Sequence, residues 1–94
     1  MDKFLKINIY DEKDGFLIET KLEEPLNYLE IGIYNLERIK VKTIFKGKID
    51  VGTHNFFWDK KDDKGNVVEK GIYFLGIKNE NDLKVSFKTL IFIM

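Results

Sequence analysis

Gly52-Thr53-His54-Asn55-Phe56-Phe57-Trp58-Asp59, then Asp62-Asp63-Lys64-Gly65-Asn66, then Gly71-Ile72-Tyr73-Phe74: in this part of the 94-residue chain, two stretches dense in large aromatics flank a loop of Asp, Gly and Asn. His54, Phe56 and Trp58 fall on one face of a strand by their period of two, and Gly71 opens another strand. Rings of this size need a packed sheet to bury them, so the stretch predicts two strands and the turn that joins them. Trp58, Phe56 and Tyr73 are core candidates, with the Tyr73 hydroxyl expected to hydrogen-bond at the edge of the fold while its ring is buried. Gly52, Asp62, Gly65 and Gly71 are turn candidates, the glycines where positive φ or a close backbone approach is needed.

Working outward, the same alternation recurs. Leu5, Ile7 and Ile9 share a face against Lys6 and Asn8, and Asp14-Gly15 is a turn signal before Phe16, Ile18, Thr20 and Leu22. Glu23-Glu24-Pro25 ends that run, because proline cannot donate to a sheet ladder. Leu29, Ile31 and Ile33 form the inward face of a third strand, which adds Ile31 and Ile33 to the predicted core; Tyr28, Glu30, Gly32 and Tyr34 take the other face. A fourth strand is expected over about residues 40 to 45, with Gly47 and Gly52 as punctuation. A sixth runs from Ile72 to Lys78, and the turn Asn79-Glu80-Asn81-Asp82 leads to a seventh from Leu83 onward, with Leu83, Val85 and Phe87 on one face. About seven short strands with turns between them and at most one helical turn, near Leu22 to Leu29, predict an all-β fold: an immunoglobulin-like antiparallel β-sandwich in which residues 1–94 form a single domain.

Composition narrows the function. Lys plus Arg equals Asp plus Glu at sixteen each, so no overall field draws the chain to nucleic acid or an anionic membrane. The densest basic run, Arg38, Lys40, Lys42, Lys46 and Lys48, alternates at first with Ile39, Val41 and Thr43 and reads as the solvated face of a strand. Phe45 is the one ring among them, and a single ring is a poor stacking platform. There is no cysteine, which removes disulfides and thiolate metal sites. The N-terminus, Met1-Asp2-Lys3-Phe4-Leu5-Lys6-Ile7, breaks its apolar residues with charge too often for a secretory signal, and no run is long enough to cross a bilayer. The compartment stays open: cytoplasmic, exported without a cleaved signal, or a domain of a longer secreted protein.

No reaction is disclosed, and no cofactor is expected. Asp59, Asp62, Asp63 and Asn66 are the best oxygen donors for calcium, but Lys61 and Lys64 fall where a calcium loop needs a ligand and a glycine, and the stretch reads more simply as a turn bonding its own backbone. His54 is the only histidine, so a multi-histidine metal site is excluded and no nucleophile partner is evident. Tyr10, Tyr28 and Tyr34 oppose the inward residues of their strands and form a candidate partner surface, to which Phe92 is added because Leu90 and Phe92 interrupt the polar face near the C-terminus. Those two suggest burial on both sides of the strand there, by the sandwich or by a partner, which is a motive for expecting self-association through an edge strand.

Ile33-Tyr34-Asn35-Leu36, Val41-Lys42-Thr43-Ile44, Gly52-Thr53-His54 with Trp58-Asp59, Asp62 with Gly65, and Gly71-Ile72-Tyr73-Phe74 resemble the immunoglobulin-like domain of the flagellar hook-capping protein family over about residues 28 to 94. The same module is similar to C-terminal sorting or accessory domains of secreted bacterial proteins. The family usually has glycine in the turn after the Ile-Tyr-Asp run, where Glu37-Arg38 stand here, and after Trp-Asp, where Lys60 stands; Lys70 replaces a small residue before the Gly-x-Tyr motif. The resemblance implies a non-enzymatic scaffold, assembly or targeting module that binds protein, extracellular or on the cell surface. A carbohydrate-contacting accessory domain is the alternative, and a small enzyme with an unrecognised site a remote one.

Overall fold

The structure is a computed structural model and describes residues 5–94; the Met1 to Phe4 part of the N-terminal reading lies outside them. Seven strands follow one another: β1 (Leu5–Glu12), β2 (Gly15–Leu22), β3 (Leu26–Tyr34), β4 (Lys40–Ile49), β5 (Gly52–Trp58), β6 (Gly71–Asn79) and β7 (Asp82–Ile93). Among the described residues there is no helix, so the single turn considered near Leu22 to Leu29 does not form; Leu22 ends β2 and Leu26 begins β3. The strands pair antiparallel into a three-stranded sheet, β1-β2-β5, and a four-stranded sheet, β4-β3-β6-β7. This is an immunoglobulin-like sandwich in which the fourth strand joins β3 instead of extending the first sheet.

Alternation builds the core. Ile18, Leu29, Ile31, Ile33, Trp58 and Leu75 are fully buried between the sheets, with Phe16, Leu22, Tyr73, Ile77 and Ile91 close behind. Each such side chain contributes about 1.5–3 kcal/mol by leaving water. The sandwich is closed along β4 and β5, where Phe45 meets Phe56 at 5.2 Å between ring centroids. It is more open between β1 and β7: Leu5, Ile7 and Ile9 are only half-buried, and a cleft of 400 Å³ runs past Ile7, Ile9, Phe16, Leu90 and Phe92.

Several local expectations are corrected. Lys13-Asp14, not Asp14-Gly15, form the corner of the first hairpin, with Glu12 paired to Gly15. Gly15 is needed for a close approach instead, since a Cβ there would lie 2.0 Å from the Trp58 carbonyl oxygen. β4 does not stop near Phe45 but continues through Gly47 to Ile49, because bulges absorb its extra residues: the register against β3 shifts between Ile31 and Gly32 and again between Ile33 and Tyr34. A further shift places Thr89 opposite Leu75 but Phe87 opposite Gly76, so Lys88 is inserted. That insertion flips the parity of β7 and puts Val85 and Phe87 on the same outer face as Leu90 and Phe92.

Candidate functional site

The outer face of the four-stranded sheet carries the most unusual chemistry of the molecule. Gly32 of β3 pairs with Gly76 of β6, and the missing side chains leave a trough over the sheet. The Tyr34 ring lies in it, so that a Cβ on Gly76 would come within 2.5 Å of the ring and one on Gly32 within 3.1 Å. Phe87 meets Tyr34 edge-on at 5.2 Å and Phe74 at 5.6 Å. Beyond this cluster the face is apolar and open, with Ile72 paired to Phe92 and Phe74 to Leu90. Leu90 is 51% and Phe92 59% exposed.

On the other side of the trough a carboxylate is buried on a sheet surface. Glu30 is 2% exposed, and it accepts hydrogen bonds from the Tyr28 hydroxyl at 2.5 Å and from the Lys40 ammonium, while the Lys78 ammonium stands 3.6 Å away. The Lys40 stem reaches it by crossing Gly32. Burial opposes the charge of Glu30, but the hydrogen bonds from Lys40 and Tyr28 and the charges of Lys40 and Lys78 outweigh it, lowering the pKa from 4.5 to about 2. The same hydrogen bond to Glu30 raises the pKa of Lys40, and that from Tyr28 raises the phenol's.

Arg38 completes the face. Its guanidinium carbon sits 5.3 Å from the Phe74 centroid and 5.4 Å from that of Phe87, within cation–π range of both rings. Arg38 therefore belongs to the β3–β4 turn and not to a solvated strand face, as the basic run implied, and Lys40 is committed to Glu30. The turn is built on Asn35: the Asn35 amide donates to the Ile39 carbonyl, the Arg38 amide to the Asn35 carbonyl, and the Ile39 amide to the Asn35 side-chain oxygen. Arg38 closes it with a left-handed φ of 65°. The turn after β5 has the same three bonds, from Asp62 to Asn66, from Gly65 to Asp62 and from Asn66 to the Asp62 carboxylate. There Gly65 holds the equivalent place, at φ 88°.

The residues singled out from sequence divide between core, turns and surface. Trp58, Ile31 and Ile33 are fully buried, Tyr73 nearly so, and Phe56 half-buried. Trp58 stacks on Phe16 at 6.0 Å and donates its indole N–H to the Lys61 carbonyl at 2.9 Å. The Tyr73 hydroxyl donates to the Glu69 carbonyl four residues upstream at 2.6 Å. Gly52, Gly65 and Gly71 all have positive φ. Asp62 spends its carboxylate on the Lys64 and Asn66 amides, Asp59 on Lys61 and Asp63 on Thr43, so these acids bond backbone and do not converge. His54 meets the Asp50 carbonyl at 2.9 Å.

The tyrosine surface does not hold together. Tyr34 is buried, 7% exposed, because the glycine trough admits its ring and Phe87 covers it. Tyr28 is half-buried over Glu30, and Tyr10 is exposed on the other sheet, where it lines up with Leu17 and Phe57. Of the four, Phe92, Tyr28 and the buried Tyr34 share the outer face with the Arg38 cluster, and only Phe92 and Tyr28 reach solvent there. Sequence reading missed Arg38, Phe74 and Phe87 as a group; glycines in the middle of β3 and β6 were the available signal for a close approach there.

Comparison with known proteins follows the same lines. Residues 6–82 match the family model described as the FlgD Ig-like domain. Among solved structures, that of FlgD from P. aeruginosa is similar, with 27% sequence identity and a TM-score of 0.62 over 87% of this chain. The match covers 62% of that longer chain. No curated protein matches.

Proposed function

Because the chain belongs to the FlgD Ig-like domain family, we propose that residues 1–94 act as one non-enzymatic structural domain, a scaffold or assembly module whose task is to hold a protein partner. The outer face of the four-stranded sheet is its working surface. The observation that carries this reading is the contiguity of Ile72, Leu90 and Phe92, exposed and apolar, with the Arg38, Phe74 and Phe87 cluster. Aromatic residues and arginine are the types enriched at protein interfaces, and apolar side chains left in water on a flat sheet gain by being covered. Self-association belongs to the same reading: β7 is an edge strand whose last residues, Thr89 to Ile93, carry no charge to discourage pairing.

Site-specific photo-crosslinking tests it. Benzoylphenylalanine in place of Phe92, in the natural full-length protein in its own cells, is expected to give a discrete protein adduct, either another protein or a second copy. The same probe in place of Asn55, exposed on the opposite sheet, is expected to give none. Equal labelling from both positions, or no adduct at position 92, overturns the assignment.

A further inference from the structure

Arg38 occupies a backbone position that an L-residue takes only at a cost, of about 1–2 kcal/mol. The twin turn at Asp62 avoids that cost with Gly65. Strain maintained at one of two equivalent turns points to a use for the side chain. What the strain secures is position: the guanidinium carbon is held 5.3 Å from the Phe74 ring centroid and 5.4 Å from that of Phe87, on the rim of the exposed Ile72, Leu90 and Phe92 surface. Among the described residues no carboxylate forms an ion pair with it. The one acid on the strands of this face, Glu30, is already bound by Lys40 and Lys78 and sealed from solvent. Lys46, opposite Glu30 on β4, adds another cation. The strand positions and Arg38 together therefore carry an excess of cations over this one carboxylate, and among those cations Arg38 is the one that stands against the apolar surface.

Resting on the reading of this sheet as a protein-binding surface, we propose that Arg38 is its specificity determinant and that the partner is a protein segment presenting a carboxylate flanked by apolar side chains. The carboxylate takes the guanidinium N–H groups, and the apolar neighbours cover Ile72, Leu90 and Phe92. A guanidinium already fixed by two rings loses little freedom on binding, and its planar fork suits a carboxylate in two-point contact. A nucleic acid fits less well, since Phe74 and Phe87 are capped by Arg38 and only Phe92 offers an open ring for a base.

The test is an NMR titration of the ¹⁵N-labelled chain with three capped peptides of alternating sequence, one with Glu between Ile and Phe residues, one with Gln in place of Glu, and one with Lys, and with oligo(dT) as a further probe. The expected result is that the Glu peptide shifts the amides of Arg38, Phe74, Phe87 and Phe92. It should bind at least about tenfold more tightly than the Gln peptide, the size of a charge-assisted hydrogen bond. Arg38→Gln, with an otherwise unchanged amide spectrum, should abolish the difference, and Arg38→Lys should restore part of it. Equal binding of the Glu and Gln peptides, an unaltered preference in Arg38→Gln, or tighter binding of oligo(dT) overturns the proposal. If those results come with a discrete adduct at position 92, only the carboxylate chemistry fails; loss of that adduct removes the protein-binding reading itself.

Discussion

Thr20→Val should make the protein more stable. Thr20 lies on the inward face of β2 between Ile18 and Leu22, fully buried, and among the described residues its hydroxyl has no hydrogen-bond partner. Its cross-strand neighbours are Ile7 and His54, and the imidazole of His54 is engaged by the Asp50 carbonyl. A buried hydroxyl without a partner costs about 1–3 kcal/mol. Valine has nearly the same shape and the same χ1 restriction, so the exchange removes that cost, adds about 0.8 kcal/mol for a buried methyl, and leaves the conformational entropy unchanged. Allowing for imperfect repacking, the expected gain is about 1–2 kcal/mol, or about 5–15 °C in Tm for a domain of this size. Urea unfolding followed by Trp58 fluorescence measures it: the midpoint should rise with an unchanged m-value. Thr20→Ser, which keeps the hydroxyl and loses the methyl, should fall on the other side of the parent by about 1 kcal/mol. An unchanged or lower midpoint for Thr20→Val would refute the reasoning, because it would mean that the hydroxyl is satisfied in solution.

Trp58→Ala empties a fully buried site against Phe16 and Tyr73 and should cost about 3–5 kcal/mol, read as a fall in Tm by circular dichroism; a melt close to the parent's would remove Trp58 from the core. Glu30, with a folded pKa below its ordinary value, adds stability that is complete above about pH 4.5 and is lost as pH falls toward 2. Because Lys40 and Lys78 are about one-third exposed and open to screening, the loss should be about 1–2 kcal/mol, and Glu30→Gln should flatten acid unfolding in that window; an identical slope in both proteins counts against the network. Lys60→Gly relieves a left-handed φ of 66° at the loss of one ammonium contact with the Phe16 ring at 5.8 Å and should stabilise by up to about 1 kcal/mol, whereas Arg38→Gly should be close to neutral, since the lost contacts with two rings, Phe74 and Phe87, offset the relief; chemical denaturation that ranks the two alike would contradict this.

The alternating strands were legible because period two maps directly onto burial. Phe16, Ile18, Thr20 and Leu22 point inward as their spacing requires, and Trp58, Ile31 and Ile33 lie at the centre. What alternation cannot reveal is an inserted residue. Reading β7 at period two separates Phe87 from Leu90 and Phe92, and only the bulge at Lys88 brings them together. Nor can a single sequence tell that Gly32 and Gly76 are neighbours, which decides that Tyr34 is buried and not displayed. The basic run misled for a related reason: Arg38 and Lys40 fit the spacing of a strand face, but a turn carries the first and Glu30 captures the second. Resemblance to the hook-capping domains was more informative at its departures, since Arg38 and Lys60, which replace usual glycines, are the two non-glycine residues with positive φ among those described.

The twin turns at Asn35 and Asp62 also bear on how such a domain changes over generations. Glycine and arginine codons differ by a single base, and in a turn closed by backbone bonds and an Asn or Asp side chain either residue leaves the loop intact. A lineage carrying this fold can thus gain or discard a charged contact at the sheet rim in one mutational step, without passing through an unfolded intermediate form. Partner choice at that corner is free to drift while the sandwich beneath it stays fixed.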